Sequence, residues 1–274
     1  MKNVKKTISY ILSFILMVII VSITILNILS KTVFNKKYII SKIEENSYYE
    51  KLNENIKSGF EEYIQQSGLD EEVLENIYSK EDVKKDLNKV IDNIYENKKE
   101  KISTDKVKEK LKNNINIYLK GTKLNKSQKE AINEFIEKIS KRYENEINHI
   151  SKINEISNAI ANINKYTEKT NQILIISIIA IITIIILINI KNISEIIKNI
   201  FIALLGAGLI LITIYMYITM SIKIKDLLII DKAFSELIKD ILTNIINQIR
   251  NYGIIYTITS IILIFFKNFI TKKK

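Results

Sequence analysis

The chain has 274 residues, with 41 basic and 30 acidic side chains, no proline and no cysteine. Without cysteine it has no disulfides, no thiolate metal sites and no lipid-modified cysteine anchor. The net charge of +11 raises nucleic acid as a partner, but the excess is local. Three lysines lie in 1–7, Lys191 and Lys198 face Glu195 in 191–199, and four lysines lie in 267–274, whereas 31–172 holds 27 basic and 25 acidic residues. Lysines crowded beside apolar runs suit membrane topology and anionic lipid, not a nucleic-acid groove.

In chain order, a basic cap (1–7) precedes an apolar run at 8–29 that is free of Asp, Glu, Lys and Arg. A secretory signal has an apolar region of about 7–15 residues and a small-residue cleavage site. This run is longer and has no A-x-A pattern after it, so it reads as an uncleaved signal anchor, transmembrane helix 1 (8–30). Three more apolar runs follow, at 173–190, 200–218 and about 252–269. A hydrocarbon core of about 30 Å takes about 20 helical residues. The expected division is a cytoplasmic N-terminus (1–7), helix 1, an extracytoplasmic helical domain (31–171), helix 2 (172–190), a cytoplasmic link (191–199), helix 3 (200–220), a short extracytoplasmic helical loop (221–251), helix 4 (252–270) and a cytoplasmic tail (271–274). The positive-inside rule places both termini in the cytoplasm.

The polar stretch lacks proline and is rich in Glu, Lys, Asn, Ile and Leu, which favours helix throughout. Its first helix is expected to run on from helix 1, with Ile43, Tyr48, Leu52, Ile56, Phe60 and Tyr63 or Ile64 at three- and four-residue spacing. Gly68 suits a left-handed stop and Asp70 a cap for "EEVLENIY". Ser79 with Asp82 resembles a capping box, Ser103–Val107 offers another start, and Gly121-Thr122 another break. Ser127 with Glu130 forms an S-x-x-E cap. From there Ile132, Ile136, Ile139, Tyr143, Ile147 and Ile150 recur at helical spacing, and nothing breaks the helix before 190. This stripe is the expected interaction face of the polar domain. It serves either an intramolecular bundle or an intermolecular coiled coil.

No catalytic residue, metal site or cofactor site is expected, and the chain does not read as an enzyme. His149 is the sole histidine, too few for an ordinary zinc site, and no nucleophile-elbow, Walker A or dinucleotide glycine pattern occurs. Acid pairs such as Glu61-Glu62 and Glu81-Asp82 diverge by about 100° on a helix and read as solvated faces. The spans hold only hydroxyls and an occasional amide, among them Ser13, Ser22, Thr24, Asn27, Ser177, Thr183, Thr213, Thr257, Thr259 and Ser260, which gives little support to an ion path. In "IFIALLGAGLILI", Ala203, Gly206 and Ala207 share a face about 100° wide at about 100° per residue. The spacing fits small-xxx-small helix packing, most simply against helix 2 or helix 4. Gly208 lies off that face without a role.

The order of spans, with "SYYEKLNENIKSGFEEYIQQSGLDEEVLENIY" and "IALLGAGLILI", resembles uncharacterised bacterial four-span envelope proteins, which implies a plasma-membrane location. The span order is also similar to FtsX-like permeases, although "KNISEIIKN" is shorter than the elements with which those grip an ATPase. The long helices are similar to chemoreceptor sensor bundles, without a cytoplasmic signalling domain.

The expectation is an all-α integral membrane protein with four transmembrane helices and an exported, bundle- or coiled-coil-like ectodomain. Its partners would be the lipid bilayer and a protein, or a second copy, reached through the ectodomain, with no nucleic acid. Its role would be sensing, scaffolding or partner binding in a bacterial envelope; the alternative is a subunit or regulator of a transporter complex.

Overall fold

The computed structural model describes residues 2–96, 98, 100–148, 154–222, 224–227 and 232–272. Among these the chain is entirely helical: α1 (Lys2–Lys31), α2 (Lys36–Glu45), α3 (Tyr48–Ser67), α4 (Lys80–Glu96), α5 (Asp105–Tyr118), α6 (Lys126–Ile147), α7 (Asn154–Ile188), α8 (Ile193–Ser221) and α9 (Lys232–Lys272), with 3-10 turns at Glu71–Leu74 and Ile224–Asp226. It divides into two compact units. Unit 1 is Met1–Asn35, Ile163–Leu227 and Ile238–Lys274; unit 2 is Lys36–Asn162 and Leu228–Leu237.

Four helical stretches are long and apolar enough to cross a membrane: Val4–Lys31, Thr167–Ile188, Ile193–Ser221 and Lys232–Phe269. All four begin earlier than their apolar runs, the last two by the most. Asn192 accepts from the Glu195 backbone N–H and starts α8 directly after the turn, so the expected link 191–199 is mostly helix. Much of the expected loop 221–251 is likewise the first half of α9, a helix of 41 residues and about 60 Å.

Unit 2 is built on apolar stripes at helical spacing. Tyr48, Leu52, Ile56, Phe60 and Ile64 of α3 are buried with Val83, Leu87, Val90 and Ile91 of α4, Val107, Leu111 and Ile115 of α5, and Phe135, Ile136, Ile139, Tyr143 and Ile147 of α6. Each such side chain contributes about 1.5–3 kcal/mol on burial. Phe60 meets Tyr78 edge-on, and Tyr78 meets Tyr143, both at 5.6 Å between centroids. Polar bonds fix the helices within this core: Tyr143 Oη donates to Asp86 (2.8 Å) and Tyr49 Oη to Asn88 (2.7 Å). At Gly59 the Arg142 side chain fills the space a Cβ would take, and Arg142 pairs with the buried Glu146 at 2.9 Å. Phe234 packs on Tyr48 and Glu236 accepts from Lys51, so the first turns of α9 complete unit 2.

Several expected boundaries hold. Gly68 stops α3 at φ 71°, Asp70 caps the following turn through the Glu72 N–H, Ser79 and Asp82 exchange capping bonds, and Gly121 sits at φ 89° after α5. Others differ. The chain after α1 is not one helix: a turn separates α1 from α2, and Ser47 at φ 50° separates α2 from α3. The segment "EEVLENIY" forms only the short 3-10 turn, interrupted by Asn76 at φ 56°. The cap of α6 is Asn125, not Ser127. Asn125 accepts from the Gln128 N–H and Gln128 returns the bond, both at 2.9 Å, because an amide acceptor two residues earlier closes a complete capping box. Over 127–190, where the sequence offers no break, two helices are described, α6 ending at Ile147 with the Asn148 N–H on the Glu144 carbonyl (2.9 Å). His149 and Ile150 lie outside the described residues.

Two outcomes check this account by chemical denaturation of the full chain. Asn125→Ala costs about 1 kcal/mol, whereas Ser127→Ala stays within about 0.5 kcal/mol; equal effects would misplace the cap. Burial pushes the Asp86 carboxyl above its ordinary range, while the Tyr143 bond and Lys85 and Lys106 pull it down and Asp82 adds to the rise. A raised folded pKa means that the folded state holds this proton more tightly. That stabilisation is present below the ordinary carboxylate value and is lost as pH rises through the raised one. Asp86→Asn is therefore expected to flatten this part of the stability profile and to leave neutral-pH stability equal or higher.

Candidate functional site

In unit 1 a buried cluster forms where α1, α7 and α8 meet. Leu16 of α1, Ile181 and Ile185 of α7 and Ala203 of α8 form one buried cluster, flanked by Leu12, Met17, Ile178 and Ile196. Around it lie uncharged polar bonds. Asn189 Nδ2 donates to Ser9 Oγ (3.0 Å), the Ser13 hydroxyl has the Ser9 carbonyl (2.9 Å) and Asn199 Oδ1 (3.4 Å) in reach, and Asn199 Nδ2 donates to the Glu195 carbonyl (2.8 Å). Further along α1, the Thr24 and Tyr256 hydroxyls share a bond at 2.8 Å, and Asn171 Nδ2 reaches Asn27 Oδ1 at 3.4 Å. Contacts at Ser9–Asn189 and Asn27–Asn171 make α1 and α7 antiparallel; Ser13–Asn199 and Met17 beside Gly206 make α1 and α8 parallel.

The small residues of α8 serve two faces. Ala203 and Ala207 are fully buried. The Met17 side chain occupies the space that a Cβ on Gly206 would take. At Ala203 and Gly206 this face meets helix 1, joined by helix 2 at Ala203, whereas the expectation was helix 2 or helix 4. Gly208 gains a role: its Cβ would stand 2.9 Å from the Gly253 carbonyl oxygen and from Thr257 N, and a Cβ on Gly253 would meet Ile212 N at 3.1 Å. Here α8 and α9 approach backbone to backbone, antiparallel.

Sequence reasoning missed Ser9, Asn189, Asn199, Met17 and Gly253. Asn189 and Asn199 had a signal, since an amide at an apolar helix end needs a partner. Of the hydroxyls it named, Ser13 and Thr24 join helices, whereas Ser177, Thr183, Thr213 and Thr259 bond the carbonyl four residues back in their own helix. The expected stripe on α6 is distributed differently from an open face: Ile136, Ile139, Tyr143 and Ile147 are core, and Ile132 is half-buried. This is the intramolecular alternative.

Unit 2 also carries clefts, among them two of particular size. One, of about 630 Å³, is lined by Lys57, Phe60, Glu61, Asp70, Glu71, Glu72, Glu75, Tyr78 and Lys80 among others. Burial, with Glu61 adding to it, pushes the Tyr78 phenol up to about 12, so it stays a proton donor at neutral pH. The other, of about 450 Å³, is more apolar and includes Tyr63, Leu69, Leu119, Leu124, Ile132 and Phe135. Among the described residues no group of three or more His, Cys, Asp or Glu is placed to hold a metal.

The amides and hydroxyls of the helix junction can position helices; at ordinary pH they do not exchange protons as acids or bases. An added methyl at Gly208 or Gly253 meets backbone, so Gly208→Ala and Gly253→Ala are expected to cost about 1–3 kcal/mol. Gly206→Ala meets only a Met side chain that can swing aside, and is expected to be neutral or mildly stabilising. Thermal unfolding of the detergent-solubilised chain reads the order; Gly206→Ala as the worst variant would contradict the placement.

The chain matches no family model, no curated protein and no solved structure.

Proposed function

We propose that this is a bacterial plasma-membrane protein of four spans whose polar helical unit faces away from the cytoplasm and works by contact: sensing, scaffolding or holding a partner in the envelope. The observation that carries the reading is the division of the chain. All four apolar helices contribute to unit 1, while the polar segment 36–162 forms unit 2 around its own core.

Orientation follows from charge. Lys6 and Lys198 both lie over the Tyr10 ring, at 5.9 and 5.3 Å, and Lys198 donates to the Tyr10 hydroxyl. The helix directions put Lys5, Lys191 and Lys267 at the same end of unit 1, with Glu195 as the acid among them. The opposite end holds Lys31, Lys169, Lys239 and Arg250 with Glu168, Asp226 and Asp240, and the whole 221–251 segment has five basic residues offset by four acids. The positive-inside rule assigns the first end, with both termini, to the cytoplasm.

The protein has no native cysteine, so single cysteines report topology directly. In intact cells an impermeant maleimide is expected to label Ser127→Cys and to leave Ser194→Cys unlabelled until the membrane is opened. The reverse pattern would overturn the orientation and with it the reading of unit 2. Mild cross-linking of the full chain, with identification of what it captures, separates this role from the transporter-subunit alternative, which calls for a partner that supplies the energy or the pore and is favoured by capture of an ATPase.

A further inference from the structure

Unit 2 is nearly neutral as a whole, but its charge is sorted. Residues 110–129, "KLKNNINIYLKGTKLNKSQK", carry six lysines and no acid. They form the end of α5, the turn at Gly121 and the start of α6. Lys110 is occupied by the Asn76 carbonyl (2.7 Å) and Lys126 lies 3.9 Å from Glu130 in an exposed pair, while Lys112, Lys120, Lys123, Lys126 and Lys129 are all exposed.

The same corner exposes apolar surface. Ile117 is 73% exposed and Tyr118 46%, and among the described residues of unit 2 they are the exposed large hydrophobic side chains. A single exposed apolar residue is ordinary. Here two adjacent ones continue into the apolar cleft through Leu119 and Leu124. The acids Asp70, Glu71 and Glu72 line the other cleft.

We infer that the α5–α6 corner of unit 2 docks onto an anionic lipid surface, with Ile117 and Tyr118 entering the headgroup layer and Lys120, Lys123 and Lys126 meeting the phosphates. Amphipathic segments bind bilayers by this combination of buried apolar area and lysine attraction. Lysines are point charges on flexible stems, suited to a diffuse array of phosphates, whereas a fixed carboxylate or phosphate pair favours the arginine fork, and this corner has no arginine. Tyrosine is a residue of membrane interfaces. The inference rests on reading unit 2 as an interaction domain and names what it touches.

The test uses the full chain in nanodiscs of phosphatidylcholine, mixed with separate vesicles and separated by flotation. The wild type is expected to float with vesicles containing phosphatidylglycerol and not with pure phosphatidylcholine. Lys120→Gln/Lys123→Gln/Lys126→Gln and Ile117→Ser/Tyr118→Ser are each expected to weaken binding about tenfold or more. Added salt is expected to weaken the wild type in the same sense. Ile117→Trp supplies a gain arm, since Trp favours the interface, and is expected to bind several-fold tighter; unchanged helical circular dichroism checks each variant's fold. Wild-type binding without preference for phosphatidylglycerol, variants that bind as the wild type does, or no gain with Trp would overturn the proposal. So would wild type that binds soluble polyglutamate but not the vesicles, which would point to an acidic protein. None of these outcomes bears on the cysteine-labelling test of orientation.

Discussion

Unit 1 depends on how closely other helices can lie against α8. Between helices in lipid there is no hydrophobic drive to associate, because the tails are as apolar as leucine; close van der Waals contact has to supply the attraction. Ala203 lets Leu16 and its neighbours on α1 settle against the α8 backbone, and Met17 takes the space left at Gly206. On a helix turning about 100° per residue, Gly206 and Gly208 are about 200° apart. The triplet Gly206-Ala207-Gly208 therefore gives α8 two opposed faces of low relief, one toward α1 and one toward Gly253 of α9.

The polar bonds act on this packing as register marks. The step along α1 from Ser9 to Asn27 equals the step along α7 from Asn171 to Asn189, so both ends of the antiparallel pair are tied in one alignment. Side-chain bonds of this kind between membrane helices average about 0.6 kcal/mol. That is small beside the packing, but a slip would leave several amides unpartnered at once, which is costly in apolar surroundings. Packing thus supplies the stability of unit 1, and Ser9, Ser13, Asn27, Asn171, Asn189 and Asn199 select one alignment.

The sequence showed the four apolar helices and the unit 2 stripes plainly, because both are periodic. Ile43, Leu52, Ile56 and Phe60 were readable as one buried face, and all are buried. Local stops were readable where one residue determines them, as at Gly68 and Asp70. What stayed hidden depends on partners distant in sequence. Gly208 had no legible role because its partner is Gly253, on a different helix, and the partners of Asn189 and Asn199, Ser9 and Ser13, lie about 180 residues away in sequence. The two α6 caps differ for a subtler reason: Ser127 and Asn125 both begin plausible boxes, and only the backbone shows that Gln128 turns back to Asn125.

Helical periodicity also indicates where a partner-facing residue of unit 2 should be sought. An apolar residue in step with its stripe is drawn inward by folding, so Ile136, Ile139, Tyr143 and Ile147 of the α6 stripe are closed against their own chain. In α5 the stripe runs Val107, Leu111, Ile115 and all three are buried. Ile117, two residues on from Ile115, is turned about 200° from it at 100° per residue, onto the outer face. Folding gains nothing from an isoleucine there, and the lysines beyond it have no acid within their run. An apolar residue out of step with the stripe, beside a run of exposed lysines, is what a surface-binding corner requires and what the core of unit 2 does not.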